Sequence, residues 1–356
     1  MKILVISLAG IGDTLFATPL IHELRANFPD ATIDVLVKEA GARDLLASNP
    51  HLNRVFYKNL MKCGRLEALR FFWSLRPERY QLSLNTHPQS RIHYRIAAFI
   101  AGAPTRISHE YECFNGLDRR LVNVTLPQDY SRHAAENNLA FLPLVGAQKK
   151  LPSHALEIYL TPEEQKWADN FLAQQGLAGK QWLGVHVGSG GTKNLALRRW
   201  PLENFIELAS RLRHSHPELG VLFFGGPEEK ADHETIRAQF ADAIFPPTRN
   251  LRQAAALIGK CAAFLSVDTA LMNIAAAMKA PGQIVIETPT WNKPVEPYAN
   301  PFTLVKNPAV AGRGLEFYRY DGGDIKGTRE ELRRCMASVS VAEVYATVTK
   351  TLPGAF

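Results

Sequence analysis

The sequence predicts an α/β protein built from two doubly wound halves, and three observations carry that prediction. Short β-branched runs alternate with stretches of helical period along the chain. The alternation lapses once, near residues 144–152, and then restarts. At 356 residues the chain is also too long for one ordinary core, so two domains of about 150 residues each are the natural division. Alternating strands and helices imply parallel sheets covered on both faces.

Residues 2–8 are apolar and form the first expected strand. A Gly-rich turn follows, then Leu20, Ile21, Leu24 and Phe28 at helical spacing. Residues 32–37 form a second strand, closed by Lys38-Glu39 and a further helix. Residues 80–85 are a strand and 91–101 a helix. The stretch at 144–152, with its Gly, Lys, Lys and Pro, is a linker. Beyond it 182–187 is a strand, Gly188-Ser189-Gly190-Gly191 a loop and 202–213 a helix. A strand at 221–224 leads into Gly225-Gly226-Pro227. Residues 262–267 are a strand that continues into a helix over 269–278, and 283–286 is a last short strand. An amphipathic helix over 330–349 closes the chain. No internal repeat or low-complexity run interrupts this order.

Composition narrows the class. Apolar residues make up 46 % and charged residues 21 %, which suits a folded chain and not a disordered one. The longest apolar stretch, 253–278, is broken by Lys260 and Asp268, so no transmembrane helix is expected. The first eight residues look like the start of a signal peptide, but Gly12-Asp13 cuts the run short, and a buried strand fits better. Cys63, Cys113, Cys261 and Cys335 lie far apart, which argues against a zinc site or a disulfide framework and for a reducing cytoplasm. The net charge of +7 is uneven: residues 1–150 hold 19 Lys and Arg against 13 Asp and Glu. Between Arg54 and Arg106 ten bases face only Glu67 and Glu78. Such a field attracts an acidic partner, whether nucleic acid, an anionic membrane surface or an acidic small substrate; a solvated basic face is the plainer alternative.

In open parallel sheets, ligands bind beyond the carboxyl ends of the strands, so the residues just after each strand are the ones to weigh. Gly10-Ile11-Gly12-Asp13-Thr14 lets backbone approach a ligand and sets Asp13 at a helix start, where a simple cap is the commoner role. The third glycine of a dinucleotide fingerprint is missing, since Phe16 follows Leu15. The second strand ends in Val37-Lys38, not in a ribose-binding acid. A nicotinamide dehydrogenase is weakened accordingly. Gly188-Ser189-Gly190-Gly191-Thr192, with Arg198-Arg199-Trp200-Pro201 after it, offers an anion nest and fixed positive charge, or else a flexible loop with solvated arginines. Gly225-Gly226-Pro227-Glu228-Glu229 could bring a carboxylate to ribose hydroxyls, though acids are common in first turns. Ser266-Val267-Asp268-Thr269-Ala270 opens a helix whose amino end is an anion site, or an ordinary capped core helix.

Five elements recur in a fixed order: Gly12-Asp13-Thr14-Leu15-Phe16-Ala17-Thr18-Pro19, Arg198-Arg199-Trp200-Pro201, Gly225-Gly226-Pro227-Glu228-Glu229, Asp268-Thr269-Ala270 and Cys335-Met336. In that order they resemble the ADP-heptose:lipopolysaccharide heptosyltransferases, family 9 of the glycosyltransferases, over nearly the whole chain. The resemblance implies a GT-B architecture, two Rossmann-like domains facing a central cleft. On that pattern residues 1–150 bind the acceptor, 151–327 bind the nucleotide sugar, and a helix over 328–356 crosses back to the first domain. It implies an inverting, metal-independent transfer of heptose from ADP-heptose to the inner core of lipopolysaccharide, with Asp13 as general base. Gly188, Ser189, Arg198, Glu229, Asp268, Thr269, Ala270 and Asn273 would line the donor. Gly12, His87 and Arg91 are the candidate acceptor contacts, with a satisfied loop histidine and a surface arginine as the plainer roles of the last two. No cofactor is implied. The partners expected are the nucleotide sugar, the acidic core acceptor and the cytoplasmic face of the inner membrane.

The chemistry suits these residue types. A single displacement needs one carboxylate to take the hydroxyl proton. With no Asp-x-Asp metal motif in the chain, Arg198, backbone N–H groups and the helix end at Asp268 must balance the departing ADP. The chain departs from the family at four places. Arg198 stands where lysine is usual, Ala270 where glycine is, and Asn273 where histidine is, and Asn194-Leu195-Ala196-Leu197 lengthens the approach to the basic pair. All four fall on the donor side, which leaves another nucleotide sugar or acceptor open. Two further alternatives are a non-catalytic nucleotide-sugar-binding homologue and an NAD-dependent oxidoreductase. Nucleic-acid binding ranks last, because no recognition motif accompanies the basic charge.

Overall fold

The computed structural model describes residues 1–175, 181–190, 195–320 and 323–352. Gly191, Thr192 and Asn194 lie outside the described residues. The chain forms two compact units, Met1–Tyr159 with Tyr320–Gly322, and Leu160–Arg319 with Gly323–Phe356.

The first unit is a six-stranded parallel sheet of β1 (Lys2–Ser7), β2 (Thr32–Val37), β3 (Arg54–Tyr57), β4 (Leu82–Asn85), β5 (Thr105–Glu110) and β6 (Val124–Pro127), in the order β3-β2-β1-β4-β5-β6. Strand β1 runs through the middle, with Ile3 beside Ile33 on one side and Leu82 on the other. Ile3, Leu4, Val5 and Ile6 are fully buried because helices cover both faces, which is why β1 reads as a continuous apolar run. The order reverses between β1 and β4, and that is the switch point where such sheets take ligands.

The second unit is a five-stranded parallel sheet of β7 (Trp182–His186), β8 (Gly220–Phe224), β9 (Ala263–Ser266), β10 (Gly282–Ile286) and β11 (Phe302–Val305), in the order β11-β10-β9-β7-β8. Its order reverses between β7 and β9.

Two boundaries differ from the sequence reading. The expected linker at 144–152 is part of the first unit, which extends to Tyr159. Glu23, fully buried on helix Thr18–Asn27, accepts hydrogen bonds from the N–H groups of Lys150 and Leu151, at 2.9 Å each, and pairs with the His154 ring at 2.8 Å. Thr18 Oγ1 accepts from the Glu157 N–H at 3.0 Å. Burial works against the Glu23 charge, but the two amides and His154 outweigh it and hold its carboxyl below the usual range. The segment is therefore strapped along a helix instead of hanging free.

The closing helix is two helices, Arg329–Ala337 and Val341–Thr351, each opened by a Ser or Thr cap with a Glu three residues on. Both helices belong to the second unit. Met336, Val339, Val344 and Val348 are fully buried in the second unit's core beside Leu208 and Leu212, and the Trp200 indole N–H donates to the Val339 carbonyl at 2.9 Å. Burying each such valine stabilises that packing by roughly 1.5–3 kcal/mol, so the helices stay with the sheet they cover.

Candidate active site

In the first unit the turn after β1 carries helix Ile11–Leu15, and Asp13 stands in its first turn. The Gly10 N–H donates to Asp13 Oδ2 at 3.0 Å, so one carboxylate oxygen does cap this helix. Gly12 is buried in the same turn. Arg91 occupies the cap position of helix Ile92–Ala101, and Tyr94 follows one turn later. Burial raises the Tyr94 pKa, the positive charge of Arg91 opposes that rise, and the negative charges of Asp13 and Glu39 add to it.

His87 lies just after β4, in the interior of the first unit. It is fully buried: its N–H donates to Asn138 Oδ1 at 2.6 Å, and Nδ1 lies 3.0 Å from the Tyr111 hydroxyl. The Tyr320 ring packs edge-on against it, with centroids 4.8 Å apart. Burial drives its pKa well below the ordinary histidine value, and His109 and His133 push the same way, so it is neutral. The imidazole is thus an enclosed, neutral group. Its Nε2, the Asn85 side-chain amide and Ser7 Oγ are buried without hydrogen-bond partners among the described residues, and the last two end β4 and β1. Such groups are costly to leave unsatisfied, and they cluster at the switch point.

In the second unit the charged residues are tied to one another. Arg198 donates from one terminal nitrogen to Asp268 Oδ2 at 2.5 Å and to Thr290 Oγ1 at 3.2 Å, and Thr290 donates to the same carboxylate oxygen at 2.9 Å. Arg198 and Asp268 are both about nine-tenths buried. Arg199 bridges Glu229 and Asp232, at 2.9 Å each, and donates to the Ser189 carbonyl at 3.1 Å. Glu229 Oε2 accepts from the Gly226 N–H at 2.9 Å. Burial raises the Glu229 pKa, against the pull of Gly226 and Arg199. The Glu229 side chain lies directly over Gly188, where a Cβ would come within 2.1 Å of Oε1, so any larger residue there would displace the Glu229 carboxylate. The Ser189 hydroxyl donates to the Leu195 carbonyl at 2.7 Å.

Thr269 caps helix Ala270–Ala277 through its hydroxyl, and His186 Nδ1 lies 3.2 Å from that hydroxyl. Burial, and then the charges of Arg199 and His233, push the His186 pKa down to about 3, so it is neutral. Ala270 opens the helix, and Asn273, buried on its second turn, has a side-chain oxygen without a partner among the described residues. Seven of the eight donor-side residues thus gather at the carboxyl ends of β7, β8 and β9, through Gly188–Glu229–Arg199–Ser189 and through Arg198–Asp268–Thr269; Asn273 lies one turn deeper. His186, Thr290, Ser7 and Asn85 were not singled out from the sequence. Each ends or follows a strand, and that position was the available signal.

The family model "Glycosyltransferase family 9 (heptosyltransferase)" matches residues 68–313. Lipopolysaccharide heptosyltransferase 2 of Salmonella typhimurium is 29 % identical over 295 residues, covering 79 % of this chain and 81 % of the relative. A family 9 glycosyl transferase from Veillonella parvula superposes with a TM-score of 0.77 at 19 % identity, over 99 % of this chain and 97 % of the other. The E. coli ADP-heptose lps heptosyltransferase II superposes with a TM-score of 0.72 at 21 % identity, over 99 % and 98 %. The last two share the GT-B fold. The chain belongs to glycosyltransferase family 9, the heptosyltransferase family, and is a glycosyltransferase.

Proposed function

We propose that this enzyme transfers heptose from ADP-heptose to the inner core of lipopolysaccharide, with inversion at the anomeric carbon and without a metal ion. The observation that carries the reading is the charged cluster Arg198–Asp268–Thr290, set at the amino end of helix Ala270–Ala277. It combines a guanidinium with free helix N–H groups, a pairing that suits a diphosphate. The names of the relatives supply the sugar and the acceptor.

The acceptor hydroxyl oxygen attacks the anomeric carbon, and the bond from that carbon to the diphosphate oxygen breaks. Asp13 takes the hydroxyl proton, and ADP leaves with the bonding electron pair. Asp13 Oδ2 is already held by the Gly10 N–H, which fixes the carboxylate for this task without an added ordering step. Arg198, oriented by Asp268 and Thr290, meets the charge that develops on ADP.

The acceptor is a lipid-borne acid, and one face of the first unit suits a membrane. Met61, Leu66, Leu69 and Trp73 are exposed on helix Arg65–Trp73 and the turn before it, and Ile96 and Phe99 are exposed on the neighbouring helix. Lys62, Arg65 and Arg70 border them, and the Arg76 guanidinium stacks 4.3 Å over Trp73. Such a mixture binds anionic lipid surfaces. Co-sedimentation with anionic vesicles, lost with neutral ones or in Leu69→Ser/Trp73→Ala, is expected.

The deciding experiment is ADP release from ADP-heptose and heptose-deficient core, run beside Asp13→Asn. Release slowed about 100-fold or more in the variant supports transfer and base together. Release unaffected by the substitution reduces Asp13 to a helix cap. Binding of ADP without release points to another sugar or acceptor.

A further inference from the structure

Away from the residues assigned above, three separate segments of the first unit bring two imidazoles and a carboxylate together. His22 lies on helix Thr18–Asn27, His51 follows helix Ala40–Leu46, and Glu157 lies in the strapped segment just before the unit ends. His22 Nδ1 is 2.7 Å from Glu157 Oε1, and His51 Nε2 is 4.0 Å from Glu157 Oε2. The candidate ligand atoms of all three lie within 4.8 Å of one another. The two rings stack with centroids 3.7 Å apart and planes 16° from parallel, and each turns a nitrogen toward one oxygen of Glu157; to share one ion the rings must tilt until it lies in both planes. A fourth donor stands beside them: the Tyr159 hydroxyl is 2.8 Å from His51 Nε2 and donates to Glu157 Oε2 at 3.0 Å. The side chains of His22, His51 and Glu157 are 15–27 % exposed, so an ion could enter.

We propose that His22, His51 and Glu157 bind one zinc-class transition-metal ion. Two imidazoles and one carboxylate are a borderline donor set, which selects Zn²⁺, Co²⁺ or Ni²⁺ over Mg²⁺ and Ca²⁺, ions that want oxygen alone. In a tetrahedral zinc site with bonds of about 2.0–2.2 Å, neighbouring ligand atoms stand about 3.3 Å apart. The separations of 2.7 and 4.0 Å bracket that value, and a tilt of the two stacked rings would bring their nitrogens onto one ion. The Tyr159 hydroxyl or a water would complete the shell. Arg25, the nearest fixed cation, is committed elsewhere: its guanidinium donates to the carbonyls of Pro29, Ala31 and His51. The ion would tie the strapped segment to the first unit's helices, a structural role outside the transfer reaction.

The test is titration calorimetry of the tag-free, chelator-stripped chain with Zn²⁺. One ion per chain is expected, with no heat from Mg²⁺, and a rise of several degrees in melting temperature at saturating zinc. His22→Gln/His51→Gln should abolish binding and the thermal shift. Glu157→Gln, which keeps a hydrogen-bonding partner for His22, should weaken binding about tenfold or more, and circular dichroism checks that both variants fold. Bound Co²⁺ should give visible bands without thiolate charge transfer, which excludes Cys63 and Cys113 as the ligands. Failure to bind zinc below millimolar concentration overturns the site and leaves a hydrogen-bonded knot. Binding that survives the double variant, or a thiolate band, overturns it equally.

Discussion

The two units build their strand-end sites in opposite ways. In the first, the carboxyl ends of β1 and β4 present neutral buried groups without partners: Ser7 Oγ, the Asn85 amide and His87 Nε2. In the second, the carboxyl ends of β7, β8 and β9 present charges already paired, Arg198 with Asp268 and Arg199 with Glu229 and Asp232. A diphosphate carries its own charge, and arginines pre-aimed by carboxylates meet it with little reorganisation. A sugar hydroxyl carries none, and unsatisfied neutral groups are its natural partners. On the proposed function, the contrast separates a donor side from an acceptor side by chemistry as well as by sequence order.

The largest effect that would break this comparison is at Asp13. Asp13→Asn keeps the hydrogen bond from Gly10 and should leave ADP affinity within about twofold while slowing transfer about 100-fold or more. A loss of ADP affinity instead would place Asp13 on the donor side and erase the division. ADP titration and single-turnover kinetics on the same preparation separate the two outcomes.

Next in size is the pair Arg198–Asp268. Arg198→Ala leaves the Asp268 carboxylate buried and unpaired, at a cost of about 3–5 kcal/mol in stability and with loss of ADP binding. Arg198→Ala/Asp268→Ala should recover most of the stability and none of the binding. If the double variant binds ADP normally, the pair is a structural one and the donor lies elsewhere. Denaturant unfolding beside ADP titration reads both quantities.

Acid should loosen both units through their buried histidines. Burial brings the His109 pKa on β5 down to about 4, partly offset by its bond to the Asn137 carbonyl, and that of His186 on β7 to about 3. The unfolded chain binds these protons near pH 6.5, so each group's contribution is fully present above that value and fades toward the folded pKa as pH falls. Between pH 7 and pH 5 each should cost about 2 kcal/mol. Urea unfolding at the two pH values, with His109→Gln and His186→Gln as controls, tests this. A stability that is flat between them would mean neither ring is neutral in the folded chain.

What could be read from the sequence follows from where information is local. Fully buried central strands such as β1 and β2 show as apolar runs, and β2 was read at its observed bounds. The short strands β3, β5, β6 and β11 were not read, because sequences such as Arg54–Tyr57 and Thr105–Glu110 mix charged and apolar residues and become strands only beside a neighbour. The break in the last helix was legible, since Ser340 and Glu343 form a capping box, but the helical period across it masked the signal. The charged residues that follow the strands of the second unit stand out in the sequence because each motif is a local run. The Arg198–Asp268 bond joins residues 70 positions apart, and Thr290 enters only through that bond. His87 shows the converse: its place after a strand is plain in the sequence, but only tertiary packing reveals the enclosure by Tyr111 and Tyr320.

The smallest expected effect is also the one that compares the two sites most directly. Ser7 ends β1 and Ser266 ends β9, and both hydroxyls are fully buried without a partner among the described residues. An unsatisfied buried hydroxyl costs about 1 kcal/mol or more, so Ser7→Ala and Ser266→Ala should each leave the ligand-free chain as stable or slightly more stable. The comparison then turns on ligands. If Ser7 serves the acceptor side, its loss should raise the acceptor KM several-fold and leave ADP binding alone. Ser266→Ala, beside a site already governed by charge, should change neither by more than about twofold, since one neutral bond of about 1 kcal/mol is small beside an ion pair. Equal effects of the two substitutions on ADP binding would show that the neutral and charged sites do not divide the substrates between them.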